Sequence, residues 1–343
     1  MERSDMLLFN TKPYARWITL AVSLLLLVIV GIASLSLGKM SIPFTETVEA
    51  LFQYDPSNTN HIIVRTSRLT RTLIAITIGA SLSIAGTLMQ ALTRNPMAAP
   101  DIFGVNAGAL FFIVFSSTFL SVESLTSYMW IGFLGALVAG VIVYFLGSLR
   151  ESGLLPTRLI LAGAAISALF VSFTQGMLVL DEQKMQSVLF WLAGSVAGRD
   201  METLLPVLPF IIIGLLLALS MGKNLNILMS GEDVAKSLGQ NTFMIKVLAG
   251  FIIVFLAGGS VAIAGSIGFI GLVVPNIVKG LAGPNYQWVI PLSGIMGAVL
   301  LLLSDVVARL IIAPSEMPIG VMTAFIGTPF FIYIARKGVL KND

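Results

Sequence analysis

The side chains that could do chemistry in this sequence are few, and the most conspicuous are arginines. Arg65, Arg68 and Arg71 are spaced three apart, just before a long apolar stretch. Side chains at this spacing share one face of a helix, so the spacing predicts a cationic patch at a membrane surface. Such a patch can dock an acidic partner, or its members can extend to lipid headgroups. The residues alone leave both interpretations open.

A second pair of ionisable residues lies near the other end of the chain. Arg309 follows Asp305 by four residues, a spacing that permits an ion pair along one helix face. An ionisable residue within an apolar segment needs a partner of this kind. Arg309 could also contact an acidic partner at the outer surface, and the two roles are compatible.

Catalytic and metal-binding chemistry has no candidate residues. The chain has no cysteine and a single histidine, His61, so we predict no disulfide, no metal site and no cofactor. No GxxxxGK[ST], HExxH or GxSxG motif occurs, so the sequence has no nucleotide-binding loop and no hydrolase signature. The net charge is only +3 and the basic residues are scattered, which argues against nucleic-acid binding. We expect no catalytic residue and no enzyme activity in this chain.

The elements that must position these residues are membrane-spanning helices. Of the 343 residues, 57% are hydrophobic and 11% are charged, whereas soluble domains have about 25% charged residues. A helix needs about 20 apolar residues to cross a bilayer. The uncharged windows are at 17–38, 72–93, 102–122, 124–149, 159–180, 203–222, 247–278, 280–304 and 317–335. We divide 247–278 at its glycine- and proline-containing stretch, so the sequence predicts an all-α protein with about ten transmembrane helices.

The Lys and Arg residues of the loops predict the orientation. With an inner N-terminus, thirteen of the 20 basic residues lie on the inner side and seven on the outer side. Because basic residues favour cytoplasmic loops, we expect both termini in the cytoplasm, with 1–16 as an N-terminal tail. Three of the seven outer charges are the arginines of 65–71, against this bias, which favours a docking role for them.

An internal similarity relates the second and seventh predicted spans. GASLSIAG at 79–86 and GGSVAIAG at 258–265 share five of eight residues, and the same offset brings Pro96 onto Pro275. Repeats that cross the membrane in opposite directions are typical of inverted-topology transporters. Small residues also recur because they let membrane helices pack closely, and the similarity alone does not separate these explanations.

The longest polar segment on the predicted inner side is 223–242, KNLNILMSGEDVAKSLGQNT. Ser230 can cap a short helix that has Glu232 and Asp233 in its first turn and Gly239 at its end. A helix in a cytoplasmic loop faces no lipid. It is therefore either a contact for a protein partner or a folded linker.

A predicted turn separates the second and third spans. The sequence RNPMAAP at 94–100 contains Asn-Pro and Ala-Pro, which stop helices and favour turns. The turn has either a purely structural role or a gating role. A gating role would place Asn95 and Met97 at the inner mouth of a pathway.

Together these motifs resemble the FecCD/BtuC-like permeases of binding-protein-dependent ABC importers. The matching stretches are 68–109, 159–170 (LILAGAAISALF), 190–200 (FWLAGSVAGRD), 225–241 and 265–337. The resemblance implies a single BtuC-like permease domain over 1–343, with an inverted repeat, in the cell membrane. It also implies two ABC ATPase subunits, a second permease subunit (a copy or a paralogue) and a substrate-binding lipoprotein. The implied cargo is a ferric siderophore, with cobalamin and haem as alternatives.

The resemblance also implies roles for particular residues by motif position. Arg68, Arg71 and Arg309 match the arginines that dock the binding protein, and Arg65 lies beside them. The residues that match the ATPase-coupling segment are Leu225, Ser230, Gly231, Glu232, Asp233, Ala235, Leu238 and Gly239. Those that match the cytoplasmic gate are Asn95, Met97, Pro156 and Thr157. The chain departs from the family pattern at three positions. Thr70 stands where many members have the proline of RLPR, Asn276 stands where they often have the histidine of PHI, and Lys279 stands where an arginine often follows.

An ion-coupled secondary carrier is the alternative from a different class. Such carriers use carboxylates within the membrane as relays. Asp305 is the only acid inside the predicted spans, and Arg309 is available to pair with it. The sequence therefore favours transport driven by separate subunits, and a membrane-embedded enzyme has no catalytic residues to support it.

Overall fold

The computed structural model describes residues 13–38, 40–120, 122, 124–148, 156–180, 193–312 and 315–339. Most of the predicted tail 1–16 lies outside them. Within these ranges every regular element is helical: α1 Pro13–Ser36, α2 Phe44–Phe52, α3 Thr59–Ile62, α4 Leu69–Thr93, α5 Val105–Phe119, α6 Leu125–Ser148, α7 Pro156–Leu180, α8 Met201–Leu204, α9 Leu208–Ser220, α10 Gly222–Met229, α11 Glu232–Ser237, α12 Thr242–Ala264, α13 Ile270–Ala282, α14 Tyr286–Ile311 and α15 Ile319–Val339. A π-helical turn, Ile63–Arg68, precedes α4, and a 3-10 turn, Pro100–Phe103, precedes α5.

The apolar helices of the described ranges correspond one to one with the predicted spans. Six are long and apolar enough to cross a membrane: α1, α4 with its preceding turn, α6, α7, α12 and α14. Helices α9 and α10 form a pair bent by 51° that would make a seventh. The apolar parts of α5, α13 and α15 are shorter than the ~20 residues that a straight crossing needs. The chain is thus an all-helical, multi-pass membrane protein, and the predicted division of 247–278 falls between α12 and α13.

Helix α4 is the centre of the bundle. About 78% of its most apolar window is buried, against 22% for α1 and for α7. Glycines bring its backbone against two neighbours: a Cβ on Gly79 would lie 2.4 Å from the carbonyl oxygen of Gly297 in α14, and one on Gly86 would lie 1.9 Å from that of Gly271 in α13. Because no side chain fits in these contacts, the small residues set the close packing of the core.

The two helices with similar octapeptides run in opposite directions. The C-terminal end of α4 lies beside the segment that precedes the N-terminal end of α12, since the Arg94 guanidinium donates to the Leu228 carbonyl (3.1 Å). The equivalence is local, however. Gly265 ends α12 while 79–86 lies inside α4, and Pro275 lies inside α13 while Pro96 lies in a turn. The opposed directions agree with the predicted inverted repeat, but the offset does not relate the two prolines.

After α4 the chain turns back into the molecule. Asp101, in the 3-10 turn, lines a small cavity together with Leu82, which lies halfway along α4. The carbonyl oxygen of Ile102 packs against Gly163 of α7, where a Cβ would lie 1.6 Å away. Asp101 is therefore at the level of the middle of α4, although it lies in a turn outside the predicted spans.

Candidate functional site

Arg68 is buried and holds the end of α1. It ends the π-helical turn, and its guanidinium donates to the carbonyls of Leu35 (2.7 Å), Ser36 (2.6 Å) and Met40. The last carbonyls of a helix have no partner within the helix. Arg68 therefore satisfies the C-terminal end of α1 and fixes it to the start of α4.

Arg71 and Arg309 share one buried carboxylate. Asp305 has no exposed surface, and it accepts from Arg71 Nη2 (2.7 Å) and from Arg309 Nη2 (2.5 Å). The predicted ion pair between Asp305 and Arg309 is confirmed. Arg71 also pairs with Glu316 (2.8 Å), and Arg309 donates to the backbone carbonyl and the hydroxyl of Ser34. This cluster joins α1, α4, α14 and the segment that precedes α15.

Arg65 alone of the three spaced arginines is exposed. Its guanidinium lies over the ring of Tyr54, 4.7 Å from the centroid. The prediction of one cationic face shared by Arg65, Arg68 and Arg71 is wrong, because the π-helical turn is wound more widely than an α-helix and Arg68 and Arg71 turn inward. Arg68, Arg71 and Arg309 nevertheless line a cavity of about 220 Å³, and their docking role stays a prediction.

The predicted helix in the polar segment is α11, with different capping. Gly231, with φ of +125°, is the residue before its first turn, and this conformation favours glycine. Ser230, which the sequence predicts as the cap, instead ends α10 and donates to the Asn226 carbonyl (3.3 Å). Gly239, with φ of +78°, follows the helix end as predicted. Leu225 and Ala235 are buried and anchor the segment to the bundle.

Glu232 fixes α11 to the start of α12. Its carboxylate accepts from Lys246 Nζ (2.8 Å) and lies 3.4 Å from Lys236 Nζ. The hydrogen bond from Lys246 lowers the pKa of Glu232. Asp233, by contrast, is exposed.

Several apolar side chains in α11 and at the start of α12 are exposed beside polar residues. Leu238 is 67% exposed, and Val234, Phe243 and Met244 are also exposed. A group of exposed apolar side chains with polar neighbours is typical of a protein contact surface. We call these four residues the inner apolar patch.

The predicted turn after α4 is present and is anchored from α13. Asn95 Oδ1 accepts from the Met97 amide (2.9 Å), and Asn276 Nδ2 donates to the Pro96 carbonyl (2.8 Å). Thr157 is exposed at the start of α7. Pro156 begins that helix, and its side chain lies outside the described part of the chain. The structure therefore fixes the turn but does not assign a gating role to it.

Sequence reasoning missed the structural roles of two departures from the family pattern. Asn276 holds the turn at Pro96, and Lys279 Nζ donates to Gln90 Oε1 of α4 (2.8 Å). Both side chains join α13 to the C-terminal end of α4. Their signal in the sequence was a polar residue in an otherwise apolar helix.

A cavity of about 270 Å³ lies between α5, α7 and the end of α12. Its polar lining is Asp101, Asn106, Ser167 and Ser266, and the rest is apolar or glycine. Asn106 Nδ2 donates to Asp101 Oδ1 (2.5 Å) and to Ser266 Oγ (3.0 Å). Sequence reasoning missed Asp101 because its charge ended the counted window before the span began.

Three features define the class of this protein. It is a bundle of apolar helices, it carries a buried charge cluster at one end of its central helix, and a folded polar segment meets the other end. This is the architecture of a multi-pass membrane transport subunit. The model of the FecCD transport family matches residues 26–337, and the chain belongs to that family.

Known proteins of similar sequence and structure agree with this family. The chain is 46% identical over 327 residues to the probable siderophore transport system permease protein YfiZ of Bacillus subtilis, covering 95% of this chain and 98% of that one. It is 45% identical over 305 residues to the Fe(3+)-citrate import system permease protein YfmD of the same organism, covering 89% and 90%. A solved inward-facing structure, described as a metal-chelate type ABC transporter, matches with a TM-score of 0.82 and 33% identity, covering 93% and 98%.

Proposed function

We propose that this chain is the permease subunit of an ABC importer that moves ferric siderophores across the cell membrane. The observation that carries the proposal is the match of nearly the whole chain to a permease named for siderophore transport. The sequence has no nucleotide-binding loop. The energy is therefore assigned to separate ATPase subunits, and this chain forms one permease domain with both termini in the cytoplasm.

The inner apolar patch and α11 are the proposed contact with the ATPases. Leu238 and Val234 are exposed, while Glu232 and Lys246 hold α11 against α12. A force applied to α11 would thus reach α12 through this ion pair and through the buried Ala235. Two ATPase subunits and a second permease subunit, either a copy or a paralogue, complete the proposed complex.

The outer arginine cavity is the proposed contact with a substrate-binding lipoprotein. It presents Arg68, Arg71 and Arg309 beside a single acid, Glu316, and Arg65 is exposed nearby. Acidic side chains of a partner fit this surface electrostatically, which mainly speeds association and fixes register. Because Arg68, Arg71 and Arg309 also hold the fold together, a charge reversal is best tested at Arg65, where it breaks the contact with the ring of Tyr54 but none of the buried hydrogen bonds.

The turn at 94–100 and the start of α7 at Pro156 and Thr157 are the proposed cytoplasmic gate. Asn95 and Met97 lie at the inner end of α4, next to the coupling segment through the contact of Arg94 with Leu228. Motion of that segment would therefore act directly on the turn.

Uptake measured in reconstituted vesicles tests the proposal. The complete transporter, with its ATPases and binding protein, should accumulate radioactive iron supplied as a ferric siderophore. It should do so only when ATP is present on the side of the vesicle membrane that carries the ATPase subunits. Leu238→Asp should abolish the ATP-dependent part while the chain stays in the membrane. Uptake that persists without ATP and responds to an ion gradient would instead indicate a secondary carrier. No uptake of any iron chelate by an assembled, ATP-hydrolysing complex would overturn the siderophore assignment.

A further inference from the structure

Asp101 has an unusual position for an acid in a membrane protein. It lies level with the middle of α4, beside Leu82 and Gly271, and its side chain is exposed to the cavity between α5, α7 and the end of α12. A carboxylate at this depth is costly against lipid and is found where it faces a bundle interior or a water-filled path. An acid at this depth therefore favours a polar or hydrated cavity over a lipid-facing groove.

No cation in the described part of the chain neutralises this carboxylate. Its hydrogen-bond partner is the neutral amide of Asn106, and none of the described lysines and arginines lies close enough to act on it. Asp305, in contrast, has two arginines. The unneutralised acid gives the cavity a negative potential, which favours cations and hydrogen-bond donors and repels anions.

The side chain of Asn106 connects two of the polar groups around the cavity. Its Nδ2 amide donates both to Asp101 Oδ1 and to Ser266 Oγ, which fixes its orientation. Among the described residues, Asp101 Oδ2 accepts no hydrogen bond, and Asp101 lines the same cavity as Ser167. Side-chain oxygens from the 3-10 turn, from α7 and from the segment after α12 thus line one cavity.

The size of the cavity limits what it can hold. At about 270 Å³ it is smaller than the ~300–1,000 Å³ of sites that enclose whole drug-sized ligands. It can take one arm of an iron chelate but not the entire complex. An arm that ends in a protonated amine, an amide N–H or a hydroxyl matches its acceptors.

We propose that Asp101, Asn106 and Ser266 form a subsite of the translocation route that binds the donor-bearing arm of a neutral or cationic iron chelate and disfavours polyanionic chelates. The identity of the ligand in this inference rests on the proposed function. The charge and the accessibility of the cavity do not depend on it. These two parts are tested separately.

Cysteine labelling tests the cavity without any siderophore. The chain has no cysteine of its own, so Ser167→Cys in the assembled transporter gives one reactive site beside Asp101. Ser220→Cys, at the exposed end of α9, gives a matched control outside the proposed sites. The measured quantity is the rate of cysteine labelling by cationic aminoethyl methanethiosulfonate divided by the rate with anionic sulfonatoethyl methanethiosulfonate. This ratio should be greater at Ser167→Cys than at the control cysteine. Asp101→Asn should lower that ratio on the order of tenfold, and Asp101→Glu should preserve it. Equal ratios at the two cysteines, or a ratio that Asp101→Asn leaves unchanged, would overturn the subsite.

Uptake of a matched pair of chelates tests the ligand class. The probes are an iron trihydroxamate with a free amine and the same compound N-acetylated, each loaded with radioactive iron. Asp101→Asn should reduce uptake of the amine form severalfold relative to the acetylated form. Equal losses for both would mean a structural role and would refute the ligand class. If neither wild type nor variant transports any iron chelate while the labelling ratio behaves as expected, the siderophore assignment fails and the charged cavity stands.

Discussion

Neutralising Asp305 should damage folding rather than docking. The carboxylate is fully buried between two guanidiniums, with N–O distances of 2.7 Å to Arg71 and 2.5 Å to Arg309. Asp305→Asn keeps the shape but leaves Arg309, which is 4% exposed, without a carboxylate. Removing one partner of a buried ion pair costs ~3–5 kcal/mol, and we expect the lower end because Glu316 still pairs with Arg71.

A loss of ~3 kcal/mol lowers the ratio of folded to unfolded protein by a factor of roughly 150. The assay is the half-life of the monodisperse peak in size-exclusion chromatography after heating in detergent. Asp233→Asn makes the same chemical change at an exposed acid and should match wild type. Removing one cation as well, in Asp305→Asn with Arg309→Met, should recover part of the loss because the buried charges balance again. If Asp305→Asn survives heating as long as Asp233→Asn does, the cluster does not stabilise the fold.

Four further outcomes are expected. Gly86→Ala should prevent close packing on α13 and reduce the yield of folded protein, whereas Gly176→Ala, which meets nothing within 4 Å, should not; equal yields would contradict the packing argument. Leu238→Asp should weaken co-purification with the ATPases without changing membrane insertion, and unchanged co-purification would remove the inner apolar patch from the coupling surface. Arg65→Glu should slow association of the binding protein at low salt, with the difference shrinking as salt screens it; identical rates at low salt would exclude a docking contribution from Arg65. Met97→Cys, paired with the matching cysteine of the second permease subunit, should cross-link differently with and without nucleotide, and equal cross-linking would count against a gate.

The helices were predictable from the sequence because each uncharged window is set by the width of the bilayer. The windows at 72–93 and 159–180 lie within α4 and α7. The same reasoning overestimated α5, since the uncharged window 102–122 also includes part of the 3-10 turn Pro100–Phe103 and residues beyond Phe119. The capping of α11 was also mispredicted, because Gly231 can adopt a positive φ where Ser230 was expected to cap.

The candidate site was less predictable because its geometry depends on contacts between distant segments. Spacing placed Arg309 near Asp305, but nothing local indicated that Arg71, 234 residues away, binds the same carboxylate. Likewise Arg68 depends on carbonyls of α1. The sequence places Asp101 in a loop, because spans defined as uncharged windows leave every charged residue outside a span. The depth of Asp101 is seen only in the structure, where the chain turns back into the bundle after α4.

Helix α4 has a mechanical consequence for the whole protein. Its 25 residues, Leu69–Thr93, run uninterrupted. Arg71 in its first turn is bonded to Asp305 of α14, and Arg94, which directly follows the helix, is bonded to Leu228 of α10. Backbone contacts at Gly79 and Gly86 leave no slack along its length. We therefore expect the two ends of α4 to move together as one rigid rod, so that a displacement of the segment beside Arg94 is carried along the helix to the charge cluster at Arg71.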